Sequence, residues 1–136
     1  MTSYQPPLRD IQFLLNEFLQ IQNLNNVDNL ADLTPDLVNA ILEEGSKLAA
    51  EVLHPLNAIG DKEGCALDQG IVTTPTGFKE AYKVFTEGGW TGLTCDPEYG
   101  GQGLPRVLGS CLNEMVDGCP ICPFQTSRTQ TNSLRS

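Results

Sequence analysis

The sequence is short of basic residues. Only 8 Lys and Arg stand against 17 Asp and Glu in 136 residues, for a formal net charge of −9. Nucleic acids and anionic membrane surfaces are bound through basic patches, so this balance argues against both as partners. Long apolar runs are also missing, and none approaches the roughly 18 residues of a membrane helix. The start, Met1-Thr-Ser-Tyr-Gln-Pro-Pro7, lacks the charged and apolar regions of a secretory signal. Together with five cysteines, an odd number, this gives a reduced, cytoplasmic setting as the expectation. Apolar residues are not scarce. Hydrophobic residues make up 40% of the chain and 13 glycines join them, which excludes a disordered acidic protein. The length suits one domain with a modest core.

The charge is unevenly placed. Residues 1–117 hold all 17 acids and 6 of the 8 bases, a net of −11, whereas residues 118–136 hold Arg128 and Arg135 and no acid. The last 19 residues are rich in Ser and Thr, with only Ile121, Phe124 and Leu134 as large apolar residues. Two kinds of sequence meet near 116–118, and the second reads as a disordered polar tail.

Four helices are expected. Leu8, Ile11, Leu14, Leu15, Phe18 and Leu19 form one apolar stripe over residues 8–22. Residues 23–33 are rich in Asn and Asp and break that helix. In the second helix Thr34 is the N-cap, Pro35 takes the first position and Asp36 complements the dipole. Its apolar set is Leu37, Val38, Ile41, Leu42, Leu48, Ala49, Val52 and Leu53, and Glu43 lies four residues before Lys47 as an ion pair. Gly45 costs about 1 kcal/mol relative to Ala inside a helix, which close packing would offset. Pro55 is expected to end this helix at His54. Residues 57–75 read as connection, with a turn at Asp68-Gln-Gly70 and an extended Ile71-Val72-Thr73-Thr74. The third helix runs from Thr76 to Glu87, with Phe78, Ala81, Tyr82 and Phe85 on one face and Gly88 as its stop. The fourth begins near Pro105, carries Leu104, Val107, Leu108, Cys111, Leu112 and Met115, and runs into Gly118. The fold class is therefore all-α, helix packed on helix.

Six of the 13 glycines and the single Trp fall within residues 88–103. Such density makes backbone shape the constraint, through positive φ, tight turns or close approach. A phosphate cradle is the functional alternative, but no Lys stands in P-loop position and the spacing is not G-x-G-x-x-G after a strand. Turns are the favoured reading.

The stretch Gly89-Trp-Thr-Gly-Leu-Thr-Cys-Asp-Pro-Glu-Tyr-Gly-Gly-Gln-Gly-Leu104 resembles the helix–loop–helix signature of the acyl-CoA dehydrogenase N-terminal domain. Pro7-Leu-Arg-Asp-Ile-Gln-Phe-Leu-Leu-Asn-Glu17 resembles the extra leading segment of the family's large bacterial branch. Glu51-Val-Leu-His-Pro-Leu-Asn57, Gly77-Phe-Lys-Glu-Ala-Tyr82 and Leu112-Asn-Glu-Met115 also fit. The likeness is recognised over residues 4–116. It divides the chain into a leading helix and linker at 4–33, the helical domain at 34–117 and a tail at 118–136 outside the family pattern.

The resemblance implies an N-terminal helical domain followed, in intact members, by a β-domain and a helical bundle. It implies FAD, an acyl-CoA substrate, α,β-dehydrogenation with hydride passing to the flavin, and a homo-oligomer. In the family the catalytic base and nearly all flavin contacts come from the later parts. No residue here is therefore expected to be catalytic, cofactor-binding or metal-binding, and the chain alone is expected to be inactive. The coincidence of changes at 117 gives the further expectation that a frameshift or assembly error replaced the remainder; the other two frames of the encoding DNA test this.

The remaining candidates have simpler readings. Cys119-Pro-Ile-Cys122 lacks the βαβ setting of a redox pair and the second ligand pair of a zinc site. His54, Cys65, Cys95 and Cys111 are scattered, and His54 reads as a helix C-terminal cap. Glu43-Glu44 and Asp61, Glu63 and Asp68 lack calcium-loop spacing and read as solvated surface. Phe78, Tyr82 and Phe85 read as core. The alternative to a dehydrogenase fragment is a non-catalytic helical interaction module, motivated by apolar stripes wide enough to need a partner.

Overall fold

A computed structural model describes residues 4–23 and 33–119. Residues 24–32 of the expected linker and residues 120–136 of the polar tail, Cys122 among them, lie outside the described residues. The architecture is helical, as expected, with one small hairpin. Helix α1 (Leu8–Phe13) runs directly into a wide π turn, Leu14–Phe18. There the Leu19 N–H bonds to Leu14 O at 2.8 Å, five residues back. The wider turn rotates less per residue, so the three- and four-residue steps no longer hold one face. Ile11 and Leu15 are buried, while Leu14, Phe18 and Leu19 of the expected stripe face solvent. Gln20, at φ +46, ends the helix before a short 3₁₀ turn, Ile21–Asn23.

The second helix is longer than expected. Helix α2 (Pro35–Lys47), a π segment (Leu48–Leu53) and α3 (His54–Glu63) form one continuous rod. Thr34 is its N-cap; its Oγ1 accepts from Leu37 N at 3.2 Å. The rod does not stop at Pro55, and His54 is helical at φ −58, ψ −42. Proline in a helix removes a donor and crowds the carbonyl four residues earlier. The π segment just ahead of Pro55 widens the turn, and the His54 N–H bonds to Ala49 O. That widening relieves the crowding, so the rod continues to Gly64, where φ is +64. Lys47 pairs with Glu44 at 2.6 Å instead of Glu43. Both groups are exposed, so this swap carries little stability.

Residues 64–75 hold a hairpin, built on the expected turn at Asp68-Gln-Gly70 and the expected extended run from Ile71; the connection expected from 57 begins only after α3 ends at Glu63. Strand β1 (Ala66–Asp68) pairs antiparallel with β2 (Ile71–Thr73), with Leu67 opposite Val72. Gln69 and Gly70 both take positive φ, 47 and 82, the two-residue turn that matches strand twist. All six strand residues are exposed. Helix α4 (Phe78–Glu87) follows Gly77 and stops at Gly88. Phe78, Ala81 and Phe85 are buried, but Tyr82 is 49% exposed and does not join the core as expected.

Helix α5 (Arg106–Asp117) closes the fold against the rod. Leu108 and Met115 are fully buried, beside Val38, Leu42 and Ala49. Gly45 makes this approach possible: a Cβ there would lie 3.0 Å from Leu112 Cδ1. The expected offset to its helix penalty is thus the seam between α2 and α5. Packing continues past the expected boundary at 117, because Cys119 is buried in the same cluster as Ile11 and Leu15.

Candidate functional site

The glycine-rich connection between α4 and α5 is the strongest sequence motif, and its backbone explains it. Gly89, Gly100 and Gly103 take positive φ of 73, 80 and 65. Two 3₁₀ turns, Trp90–Gly92 and Pro97–Tyr99, build the loop. Asp96 caps the second, its Oδ1 accepting from Glu98 N at 2.9 Å. Gly101 lies so close to the Cys95 carbonyl that a Cβ would overlap it. A Cβ on Gly109 would sit 2.7 Å from Thr94 Cγ2, so α5 rests directly on the loop.

The loop consumes its own donors. The N–H groups of Gly100, Gly101, Gln102, Gly103 and Leu104 bond to Pro97 O, Asp96 O, Gly92 O, Cys95 O and Leu93 O, at 2.8 to 3.1 Å. A phosphate cradle needs such N–H groups pointing at the ligand. Here they point inward, so the segment is a self-bonded corner that fixes how α4 turns into α5.

The other candidates do not converge. Among the described residues, no group of three or more His, Cys, Asp or Glu could hold a metal ion. Cys65 is exposed, Cys95 half-buried and Cys111 buried. Burial pushes the Cys111 thiol pKa up, and the Glu114 carboxylate adds to the shift. Glu63 Oε2 accepts from Thr76 N at 2.7 Å, which ties the end of the rod to the start of α4. His54 is inside the rod and caps no helix end; its Nδ1 lies 3.5 Å from Asn57 Nδ2, and its ring packs on Tyr4.

One depression was not foreseen. Arg9, Gln12, Phe13, Asn16, Glu17 and Asn39 line an open hollow of about 420 Å³ between α1 and α2. Asn16 Nδ2 donates to Asn39 Oδ1 at 3.0 Å across it. The two residues are 23 apart, and polar residues on two separate helices leave no periodic signal.

No protein-family model matches the chain. Curated relatives do. The 3-methylmercaptopropionyl-CoA dehydrogenase of Ruegeria pomeroyi is 36% identical over 129 residues, which span 92% of this chain and 22% of that protein. The butyryl-CoA dehydrogenase of Syntrophomonas wolfei is 32% identical over 120 residues, 85% of this chain and 20% of that one. A broad-specificity linear acyl-CoA dehydrogenase of Mycobacterium tuberculosis is 27% identical over 120 residues, with shares of 87% and 20%.

The chain is related to the acyl-CoA dehydrogenases. It spans about a fifth of the length of these relatives. A share of 92% of 136 residues is about 125 residues, so the match to the Ruegeria protein is longer than the stretch 4–116 that carries the motifs. The related dehydrogenases are oxidoreductases. No helix among the described residues is long and apolar enough to cross a membrane.

Proposed function

We propose that this chain is the N-terminal helical part of an FAD-dependent acyl-CoA dehydrogenase, whose parent reaction is α,β-dehydrogenation of an acyl-CoA thioester. The observation that carries the reading is the match to the Ruegeria dehydrogenase over 92% of the chain. The self-bonded corner between α4 and α5, which holds the most specific motif, supports an architectural role for this part. FAD supplies hydride acceptance in such an enzyme, and the glycine-rich loop does not fit its pyrophosphate. A flavin dinucleotide needs donors for its pyrophosphate, and the loop that is richest in glycine spends its N–H groups on itself. No step is therefore assigned to any residue of this chain. Residues 34–117 form the family helical domain in this reading, the cytoplasm is its setting and an acyl-CoA is the substrate of the complete enzyme.

Purified chain mixed with FAD and a short acyl-CoA is the test. The expected result is no shift of the flavin absorbance band and no thioester oxidation. Flavin retained through gel filtration, with oxidation of the acyl-CoA, would place an active site within these residues and overturn the reading.

A second reading, a helical module that binds a partner, is favoured by exposed apolar residues. Phe18, Leu67 and Ile71 are each about 70% exposed, and Tyr99 is 84% exposed. Single exposed apolar residues are ordinary, so this reading stays second.

A further inference from the structure

The N-terminal segment meets the C-terminal end of α5 at one compact junction. The Tyr4 hydroxyl donates to Met115 O at 2.9 Å, across 111 residues of sequence. A Cβ on Gly118 would overlap that hydroxyl, so the phenol occupies the space a side chain at 118 would take. On its other side the Tyr4 ring packs against His54, with centroids 5.7 Å apart and planes tilted by 37°. His54 stands where the π segment passes into α3.

The next residue, Cys119, is 2% exposed. Its thiol donates to Ala49 O at 3.4 Å. That same carbonyl accepts the His54 N–H. Cys119 and Glu114 are close enough to raise the Tyr4 pKa, after burial, which contributes most. Tyr4, His54, Gly118 and Cys119 thus lie together although they come from three separate parts of the chain.

Among the described residues, this segment is held to the rest of the fold through Tyr4 and Pro6. Tyr4 is half-buried and Pro6 buried, while Gln5 and Pro7 are exposed. Pro6 and Pro7 have no N–H to donate. The core behind it is far denser, with Leu108, Ala49 and Met115 fully buried. Segments with few buried contacts open at lower free energy than the core they cover.

We propose that Tyr4–Pro7 is a detachable strap that pins the last turn of α5 to the α2–α3 rod and shields the Cys119 thiol. Released, the strap leaves the seam between α2 and α5 intact and uncovers Cys119 alone. Gly118 is the seat of the strap: its missing side chain admits the phenol.

Site-resolved alkylation of the intact chain by iodoacetamide tests this, with Cys65 as the exposed reference and global unfolding, followed by circular dichroism in urea, as the slow limit. In the unaltered protein, Cys119 should label slower than Cys65 and at least about tenfold faster than global unfolding allows, because local opening precedes global unfolding. Its labelling should also depend less steeply on urea than global unfolding does, because less surface is exposed when the strap lifts. Tyr4→Ala and Gly118→Ala should accelerate Cys119 by about tenfold or more while keeping that shallow urea slope. A Cys119 rate and urea slope equal to those of global unfolding in the unaltered chain would overturn the proposal, since only global unfolding would then expose Cys119. That measurement needs no variant, so a misfolded variant does not remove the test. In folded variants, a Cys119 rate that does not rise would also contradict it.

Discussion

The α2–α5 seam and the β1–β2 hairpin use similar apolar residues to opposite ends. In the seam Val38, Leu42, Leu108, Leu112 and Met115 are buried. In the hairpin Leu67, Ile71 and Val72 are 62 to 72% exposed. The difference lies in period and partner. A 3.6-residue period gives each helix one continuous apolar face, and two such faces exclude water together. Two strands of three residues have no layer to lie on, so alternation places nothing inside. Apolar content alone therefore does not locate the core of this chain.

The largest expected contrast comes from truncating both regions. Met115→Ala or Leu108→Ala should cost about 2–5 kcal/mol in urea unfolding, from lost transfer energy and the cavity left behind. Ile71→Ala or Val72→Ala should stay within about 0.5 kcal/mol of the parent, as for ordinary surface positions. A hairpin change as costly as a seam change would break the comparison.

The glycine-rich corner allows a finer version. Gly101→Ala drives a Cβ into the Cys95 carbonyl, a backbone atom that cannot swing aside. It should cost about 1–3 kcal/mol by overpacking and disturb how α5 sits. Gly100 has φ +80 with nothing within 4 Å of a Cβ. Gly100→Ala should therefore cost only the left-handed strain of about 1–2 kcal/mol and leave the Trp90 fluorescence unchanged. Thr34→Ala removes the cap on Leu37 N, and a loss of about 1 kcal/mol is expected in thermal unfolding.

The smallest effect is in pH. Burial raises the Cys111 thiol above its ordinary 9.0 and the Tyr4 phenol above its ordinary 10.0. Both groups are thus held neutral longer in the folded state than in the unfolded one. Their contribution is complete below those ordinary values and is lost as pH rises through the folded ones. Stability should decline gently above about pH 9, and Cys111→Ala should remove the first part of the decline. A rise in stability over that range would contradict the sign.

Local signals were legible where local chemistry decides. Thr34 with Pro35 marked a real helix start, Gly45 a real close approach and Gly88 a real stop. The Asp68-Gln-Gly70 turn and the extended Ile71–Thr73 were also readable. What failed depended on the rest of the fold. Pro55 should end a helix by local rule, but a widened turn supported by packing carries the rod to Glu63. The exposure of Phe18 and Tyr82 follows from where the partner helices lie, which periodicity does not state. The Tyr4 junction joins residues 111 apart, and the hollow at Asn16 and Asn39 joins two helices through one polar bond. Such contacts leave no repeating mark in a sequence. The glycine-rich stretch was read as backbone shape instead of a phosphate site, and its inward N–H groups agree with that.

The most direct test of the central claim is a chimera. The part of the Ruegeria pomeroyi dehydrogenase that aligns with residues 4–119 would be replaced by those residues, with the segment-deleted enzyme as control. The account predicts a chimera that folds, retains FAD and oxidises its acyl-CoA substrate, against an inactive deletion. A soluble, folded chimera that holds no flavin would contradict the claim that this chain is the helical part of such an enzyme.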